Sequence, residues 1–257
     1  MLPKIDKPLF EVNIPSLDKK VMFRPFTVKE EKILLMAQQE GEDKSILLAI
    51  KQVIGNCCQD ELINVNDLAT FDLEYVFVRL RSRSVNNIIE VSYRDNEDDK
   101  VYDFEIDLDD IQLIVDDTIN KLIEVADGVG IKMKYPSAQI IDDAPSGNAA
   151  QLVEYLIANC VESIYDSESV YPASDYKLEE LLAWLDNLDI NTFKKITEFF
   201  DKLPRLYYKI EYKNSLGADR VIELNKLSDF FIWRWVIIHW RTTIQRYSLW
   251  LSIISIQ

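Results

Sequence analysis

Between Leu9 and Cys58 the spacing of apolar residues changes once, at Pro25-Phe26-Thr27. Before it, Leu9-Phe-Glu-Val-Asn-Ile14 and Lys20-Val-Met-Phe-Arg24 alternate as strands do, with Pro15-Ser-Leu-Asp18 as the turn between them. After it, Thr27-Val-Lys-Glu30 forms a capping box. A hydroxyl N-cap and a carboxylate three residues on each satisfy a backbone donor that the first helical turn leaves open. A chain written this way must turn a hairpin straight into a helix, from Val28 to about Ala37. Val28, Leu35 and Met36 fall on one side of that helix, with Ile33 and Leu34 widening the stripe.

Helical spacing continues. Ile46, Ile50, Val53 and Cys57 predict a second helix from about Lys44. Leu73, Val76, Phe77 and Leu80 predict a third from about Thr70, ending in the basic patch Arg79, Arg81 and Arg83. The period then shortens. Ile88–Arg94 and Val101–Asp107 alternate around an acidic loop, and Leu122–Val125 and Val129–Tyr135 around Asp127-Gly128, which predicts two hairpins. Beyond Pro145 a broad apolar stripe runs from Leu152 through Leu156, Ile157, Cys160 and Val161 to Ile164, and reads as a helix. Shorter helices follow at Leu178–Leu185 and about Phe193–Leu203, with Pro204 as a stop. Leu206, Tyr208, Ile210 and Tyr212 alternate, Asn214–Gly217 turns, and Val221–Leu224 returns.

The expected fold class is α+β: an N-terminal β-hairpin followed by helices, a central antiparallel β unit, then a helical C-terminal part with a terminal hairpin. The expected divisions are 1–85, 86–140, 141–231 and an atypical tail, 232–257. That tail holds four of the five tryptophans and the only histidine, His239, and no acidic residue follows Asp229. Three readings stand side by side: an aromatic segment on a membrane surface, a buried C-terminal helix, or a slipped reading frame. Codons for Ile232 onward can be chosen so that a two-nucleotide shift yields Met-Ala-Met-Gly-Tyr-His-Pro-Leu-Glu-Asn-Tyr-Tyr.

Composition narrows the function. A net charge of −15 repels a phosphate backbone, so nucleic acid is not the expected partner. No run of 18 uncharged apolar residues occurs, which speaks against a membrane span, and no apolar stretch follows Met1–Lys4 to make a signal peptide. Adjacent Cys57 and Cys58, with Cys160, suit a reducing cytoplasm.

Catalytic sets are missing from the pattern. There is one histidine, and no G-x-S-x-G, H-E-x-x-H or Walker A sequence. Gly128-Val-Gly130 lacks the third glycine of a dinucleotide loop. Asp95-Asn-Glu-Asp-Asp99 has the alternating oxygens of a calcium loop, but Lys100 and Ile106 stand where Gly and Glu are needed. The pairs Asp109-Asp110, Asp116-Asp117 and Asp142-Asp143 lack recurring ligand spacing. No cofactor, metal, small-molecule substrate or catalytic residue is expected. Phe199, Phe200, Tyr207, Tyr208 and Tyr212 read first as core. The candidate partner-binding residues are Phe23, Arg24, Phe26, Lys29, Glu30, Arg79, Arg81 and Arg83: aromatic anchors at a rigid proline corner, ringed by charge. The competing reading of Phe23 and Phe26 is that they staple the hairpin to the first helix.

Several blocks together resemble the baseplate hub subunit and hub assembly protein family of T-even-like contractile-tailed bacteriophages. They are Leu2-Pro-Lys4, Val21-Met-Phe-Arg-Pro-Phe26, Val28-Lys-Glu-Glu-Lys-Ile-Leu-Leu-Met36, Ala49-Ile-Lys-Gln-Val-Ile-Gly-Asn-Cys57, Lys132-Met-Lys-Tyr-Pro136, Phe193–Leu203 and Leu227-Ser-Asp-Phe-Phe231. The tail departs from the family's pattern. The resemblance implies a non-enzymatic protein that binds other baseplate hub and tail proteins during tail assembly. Its place would be the host cytoplasm and, for a lasting subunit, the virion baseplate. The family contains both a transient, chaperone-like assembly factor and a hub subunit, and the resemblance does not separate these roles. A protein-binding adaptor outside phage assembly, or a carboxylate-based metal-dependent hydrolase, is the alternative.

Overall fold

Alternation in the first two strands sets the first core. β1 (Phe10–Ile14) and β2 (Lys19–Phe23) pair antiparallel, Val12 opposite Val21. Val12, Ile14, Val21 and Phe23 face inward while Glu11, Asn13, Lys20 and Met22 face out. The computed structural model describes residues 6–145 and 148–225. The blocks at Leu2–Lys4 and Leu227–Phe231, and the Trp-rich tail with His239, lie outside the described residues.

The capping box forms as the sequence requires. Thr27 Oγ1 accepts from the Lys29 amide at 3.2 Å, and the Glu30 carboxylate accepts from the Thr27 amide at 2.8 Å. Helix α1 (Val28–Glu40) ends at Gly41, whose φ of 70° is the left-handed cap that glycine adopts without a Cβ clash. Its inward side is Glu30, Leu34 and Ala37. Of the expected apolar stripe only its edge at Leu34 is buried, and Val28, Leu35 and Met36 are exposed. The Arg24–Glu30 pair described below fixes the rotation of the helix, and the apolar stripe on the other side is left in water.

Helices α2 (Asp43–Cys57) and α3 (Thr70–Ser84) complete this part. Ile50, Val53, Ile54 and Cys57 of α2, with Leu73, Val76, Phe77 and Leu80 of α3, are buried at the expected positions. The buried Asp72 carboxylate accepts from the Ser16 amide at 2.9 Å and the Ala69 amide at 3.2 Å, which ties the β1–β2 turn to the start of α3.

The fold is α+β with antiparallel sheets. β3 (Ile88–Arg94) and β4 (Val101–Asp107) form the expected hairpin. β5 (Gln112–Ile114) instead pairs with a strand far along the chain, β10 (Arg205–Lys213), which also pairs with β11 (Asp219–Leu224). β6 (Leu122–Ala126) and β7 (Val129–Met133) pair around Gly128, whose φ is 73°. Their sheet continues through β8 (Val161–Tyr165) to β9 (Val170–Pro172), in the order β6-β7-β8-β9.

Val161 and Ile164 therefore belong to a strand, and the helix expected beyond Pro145 is corrected to α5 (Ala149–Cys160), which stops before them; a further short helix, α4 (Ala138–Asp142), precedes Pro145, where none was expected. Both residues are β-branched, and the five residues from Val161 fit the pleat against β7 better than another helical turn. Helix α6 (Leu178–Leu185) lies where expected. Helix α7 (Ile190–Asp201) starts earlier than its apolar pattern shows, because Asp189 caps the Asn191 and Thr192 amides at 2.7 and 3.1 Å.

The chain divides into two units. Among the described residues the first comprises 6–114 and 205–225, and the second the intervening 115–204. The first contains a core of Val78, Ile89, Val91, Ile106, Leu108, Ile111, Leu206 and Ile210. The second is built on Ile123, Ile131, Met133, Ile157, Cys160, Val161, Ile196, Phe199 and Phe200.

Candidate partner-binding surface

The corner at Phe23–Glu30 is held by backbone bonds before any side chain acts. The Arg24 amide donates to Cys57 O at 3.0 Å and the Gln59 amide to Met22 O at 2.9 Å, stitching β2 to the end of α2. The Phe26 amide donates to Ser84 Oγ at 2.9 Å, tying the corner to the last turn of α3. The structure thus joins the corner to the helix that carries Arg79, Arg81 and Arg83.

Phe23 is fully buried beside Phe10, with ring centres 6.5 Å apart, and Phe26 is 6% exposed. Both rings pack inside the first unit. Arg24 reaches Glu30 with both terminal nitrogens, Nη2 to Oε1 at 3.0 Å and Nη1 to Oε2 at 3.4 Å, and donates to Pro25 O at 3.1 Å. Burial alone would raise the Glu30 pKa. The Arg24 guanidinium and the Thr27 hydroxyl and amide outweigh that and hold it at about 2. Lys29, one position away on the helix, is exposed.

The three arginines fall on two sides of α3. Arg79 donates to the carbonyls of Leu108, Asp109 and Ile111 at 2.9, 3.0 and 2.6 Å, and its guanidinium lies 4.9 Å from the Tyr75 ring centre. It closes the 3-10 turn at Leu108–Asp110. Arg81 is buried, and burial lowers its pKa to about 10. Arg83 is exposed and lies 3.7 Å from Asp109 Oδ2. Asp109 also accepts from Ser82 Oγ at 2.8 Å. Spaced four apart, Arg79 and Arg83 share one face of the helix and both lie 3.7 Å from Asp109, while Arg81, two positions from each, is buried on another side.

A polar cluster absent from the candidate residues joins two loops of the first unit. Asp95 is fully buried and accepts from Tyr212 Oη at 2.6 Å and Arg220 Nε at 3.0 Å. Glu97 accepts from Asn214 Nδ2 at 2.6 Å, and Asp98 from the Ser215 amide at 3.0 Å and Ser215 Oγ at 2.8 Å. The Tyr212 hydrogen bond leads the effects holding the Asp95 pKa below its usual range, and the Tyr102 bond leads those acting on Asp98. The calcium-like spacing had marked these oxygens. What it could not show was the tyrosine, serine, asparagine and arginine donors arriving from a hairpin more than a hundred residues away. The cluster is a latch between the β3–β4 and β10–β11 loops. Among the described residues no three His, Cys, Asp or Glu side chains are grouped to hold a metal ion.

Burial pushes Cys57 up to about 11 and Cys160 up to about 12. In the second unit a cleft of about 490 Å³ opens along β6, lined among others by Leu122, Phe199, Lys195 and Lys202. Lys195 Nζ donates to Glu124 O at 3.1 Å on that edge, and the Leu122 amide donates to Asn120 Oδ1 at 2.9 Å. These bonds occupy outward backbone positions that an edge strand would otherwise leave bare. Among the described residues no helix is long and apolar enough to cross a membrane.

The family described as T4 bacteriophage base plate protein matches residues 7–232. The match stops where the Trp-rich composition begins. No curated protein and no solved structure matches the chain.

Proposed function

Since the chain belongs to the T4 bacteriophage base plate protein family, we propose that it serves assembly of the baseplate hub by binding other hub and tail proteins, and breaks no covalent bond. The family match over residues 7–232 carries this reading. The chemistry of the described residues is in keeping with it. The carboxylates at Asp95, Glu97, Asp98 and Asp109 spend their oxygens on internal donors. The thiols of Cys57 and Cys160 are held protonated. In this reading Arg24, Lys29, Arg79 and Arg83 meet the partner, Phe23, Phe26 and Glu30 shape the corner that presents them, and Arg81 holds the helix beneath.

The test is a phage from which the gene has been deleted. Hub assembly is expected to stop, with tails restored by the gene supplied in trans. Mass spectrometry of purified mature tails then separates the two roles. Detection of the protein identifies a lasting hub subunit, and its presence in infected cells but not in tails identifies a transient assembly factor. Normal tails without the gene overturn the proposal.

A further inference from the structure

Helix α1 carries apolar residues on two opposite sides. Leu34 and Ala37 are buried against the fold, and across the axis Val28, Leu35 and Met36 are 65%, 38% and 63% exposed. Helical spacing puts Val28, Lys32, Leu35, Met36 and Gln39 on that outer face, a stripe about 17 Å long at the rise of a helix. Scattered exposed apolar residues need no explanation, but three on one helical face do. Among the described residues nothing buries them: the capping box, the Arg24 pair and the buried Leu34 and Ala37 lie on the other side.

The charges along the stripe are polarised. Lys29 and Lys32 stand at its beginning, exposed and without an ion pair among the described residues. They lie at the positive end of the helix dipole; Glu31 shares that turn on the opposite flank of the stripe from Lys29, Glu30 is turned inward to Arg24, and Glu40 stands at the far end, so the excess at the start of the stripe is a single positive charge. In a chain of net charge −15 this is a local positive spot beside apolar surface.

We propose that the outer face of α1 docks an amphipathic helix of another protein, one whose apolar side chains cover Val28, Leu35 and Met36 and whose flanking carboxylates meet Lys29 and Lys32. The identification of that protein as a baseplate component rests on the function proposed above. A second copy of this chain is the rival occupant, and two features oppose it. Two bodies of net charge −15 repel each other. Three apolar side chains per copy also cover far less area than a lasting dimer buries. Met36 suits the contact, because an unbranched thioether adapts to a partner surface.

The probes are two fluorescent helical peptides with the same leucine face, one flanked by glutamates and one by lysines. Anisotropy titration of the full chain is expected to show binding of the glutamate peptide at least tenfold tighter than the lysine peptide. Val28→Glu and Met36→Glu should each weaken it by about tenfold or more. Lys32→Glu should shift the preference toward the lysine peptide. All three positions are solvent-exposed, so thermal unfolding of these variants is expected to match the parent, and circular dichroism checks this. Binding of neither peptide, equal binding of both, or binding undisturbed by Met36→Glu overturns the proposal. So does a sedimentation equilibrium dimer that Met36→Glu abolishes, since the occupant is then a second copy. Failure of the phage role is separable: normal tails in the deletion phage remove the baseplate reading and leave the peptide preference untouched.

Discussion

Glu30 is the residue on which the N-terminal corner turns. Its carboxylate is 2% exposed, caps the first turn of α1 and receives both terminal nitrogens of Arg24. Its pKa in the fold is about 2, against an unperturbed 4.5. A depressed folded pKa means the unfolded chain binds the proton more readily. The stabilisation is therefore fully present above about pH 4.5 and is lost as pH falls toward 2. The shift corresponds to at most about 3 kcal/mol, and partial exposure of Arg24 brings a realistic figure nearer 2 kcal/mol. Glu30→Gln keeps an oxygen for the Thr27 amide but loses the charge. Urea unfolding is expected to show it about 2 kcal/mol weaker at pH 7 and converging on the parent near pH 2. A constant gap across that range would mean the Arg24 pair contributes nothing as a charge.

At the level of elements, close approach decides what local pattern cannot. Gly130 of β7 sits opposite Tyr165 of β8. A Cβ there would lie 2.2 Å from Tyr165 Oη and 2.9 Å from Ile123 O. Gly130→Ala is expected to cost about 2–3 kcal/mol by urea or thermal unfolding, since the ring and the β6 backbone must both give way. An unchanged midpoint would show that Tyr165 swings aside freely. The same contrast explains what the sequence made legible. Hairpins, capping box and the helices at Asp43, Thr70 and Leu178 follow from neighbours in the chain, and the alternation or spacing displays them directly. Long-range choices are not displayed. The pairing of β5 with β10, the switch of Val161–Tyr165 from helix to strand, and the donors that reach Asp95 all depend on segments remote in sequence. The facing of α1 is another choice that local pattern does not display. Its most apolar residues mark the outer side, and a buried ion pair marks the inner one. Of the candidate partner residues, Arg24 and Glu30 are readable as a charged corner, whereas the burial of Arg81, apart from Arg79 and Arg83 on their shared face, needs the packing of the helix to be seen.

For the whole molecule, two breaks in the chain make separate predictions. The first is at Ile232, where the family match and the acidic composition end together. If the frame has slipped there, resequencing the gene will reveal a two-nucleotide shift at codon 231 and a continuation without the tryptophans. Related genes that encode the Trp-rich tail in the common frame would end that idea. The second break is the insertion of one unit into the other. Ile114 of β5 and Arg205 of β10 are direct antiparallel partners. The 115–204 unit therefore leaves and re-enters the first at two neighbouring backbone positions. Two residues are the preferred length of a tight hairpin, and Asn-Gly supplies the backbone conformation that such a turn needs. A variant in which Asn-Gly joins Ile114 to Arg205 is expected to keep the first unit folded, because its core around Val78, Ile89, Ile106 and Leu206 is built from residues of that unit. Single-step urea unfolding and a dispersed amide spectrum would bear this out. A collapsed, non-cooperative product would show instead that the first unit depends on the second for its stability.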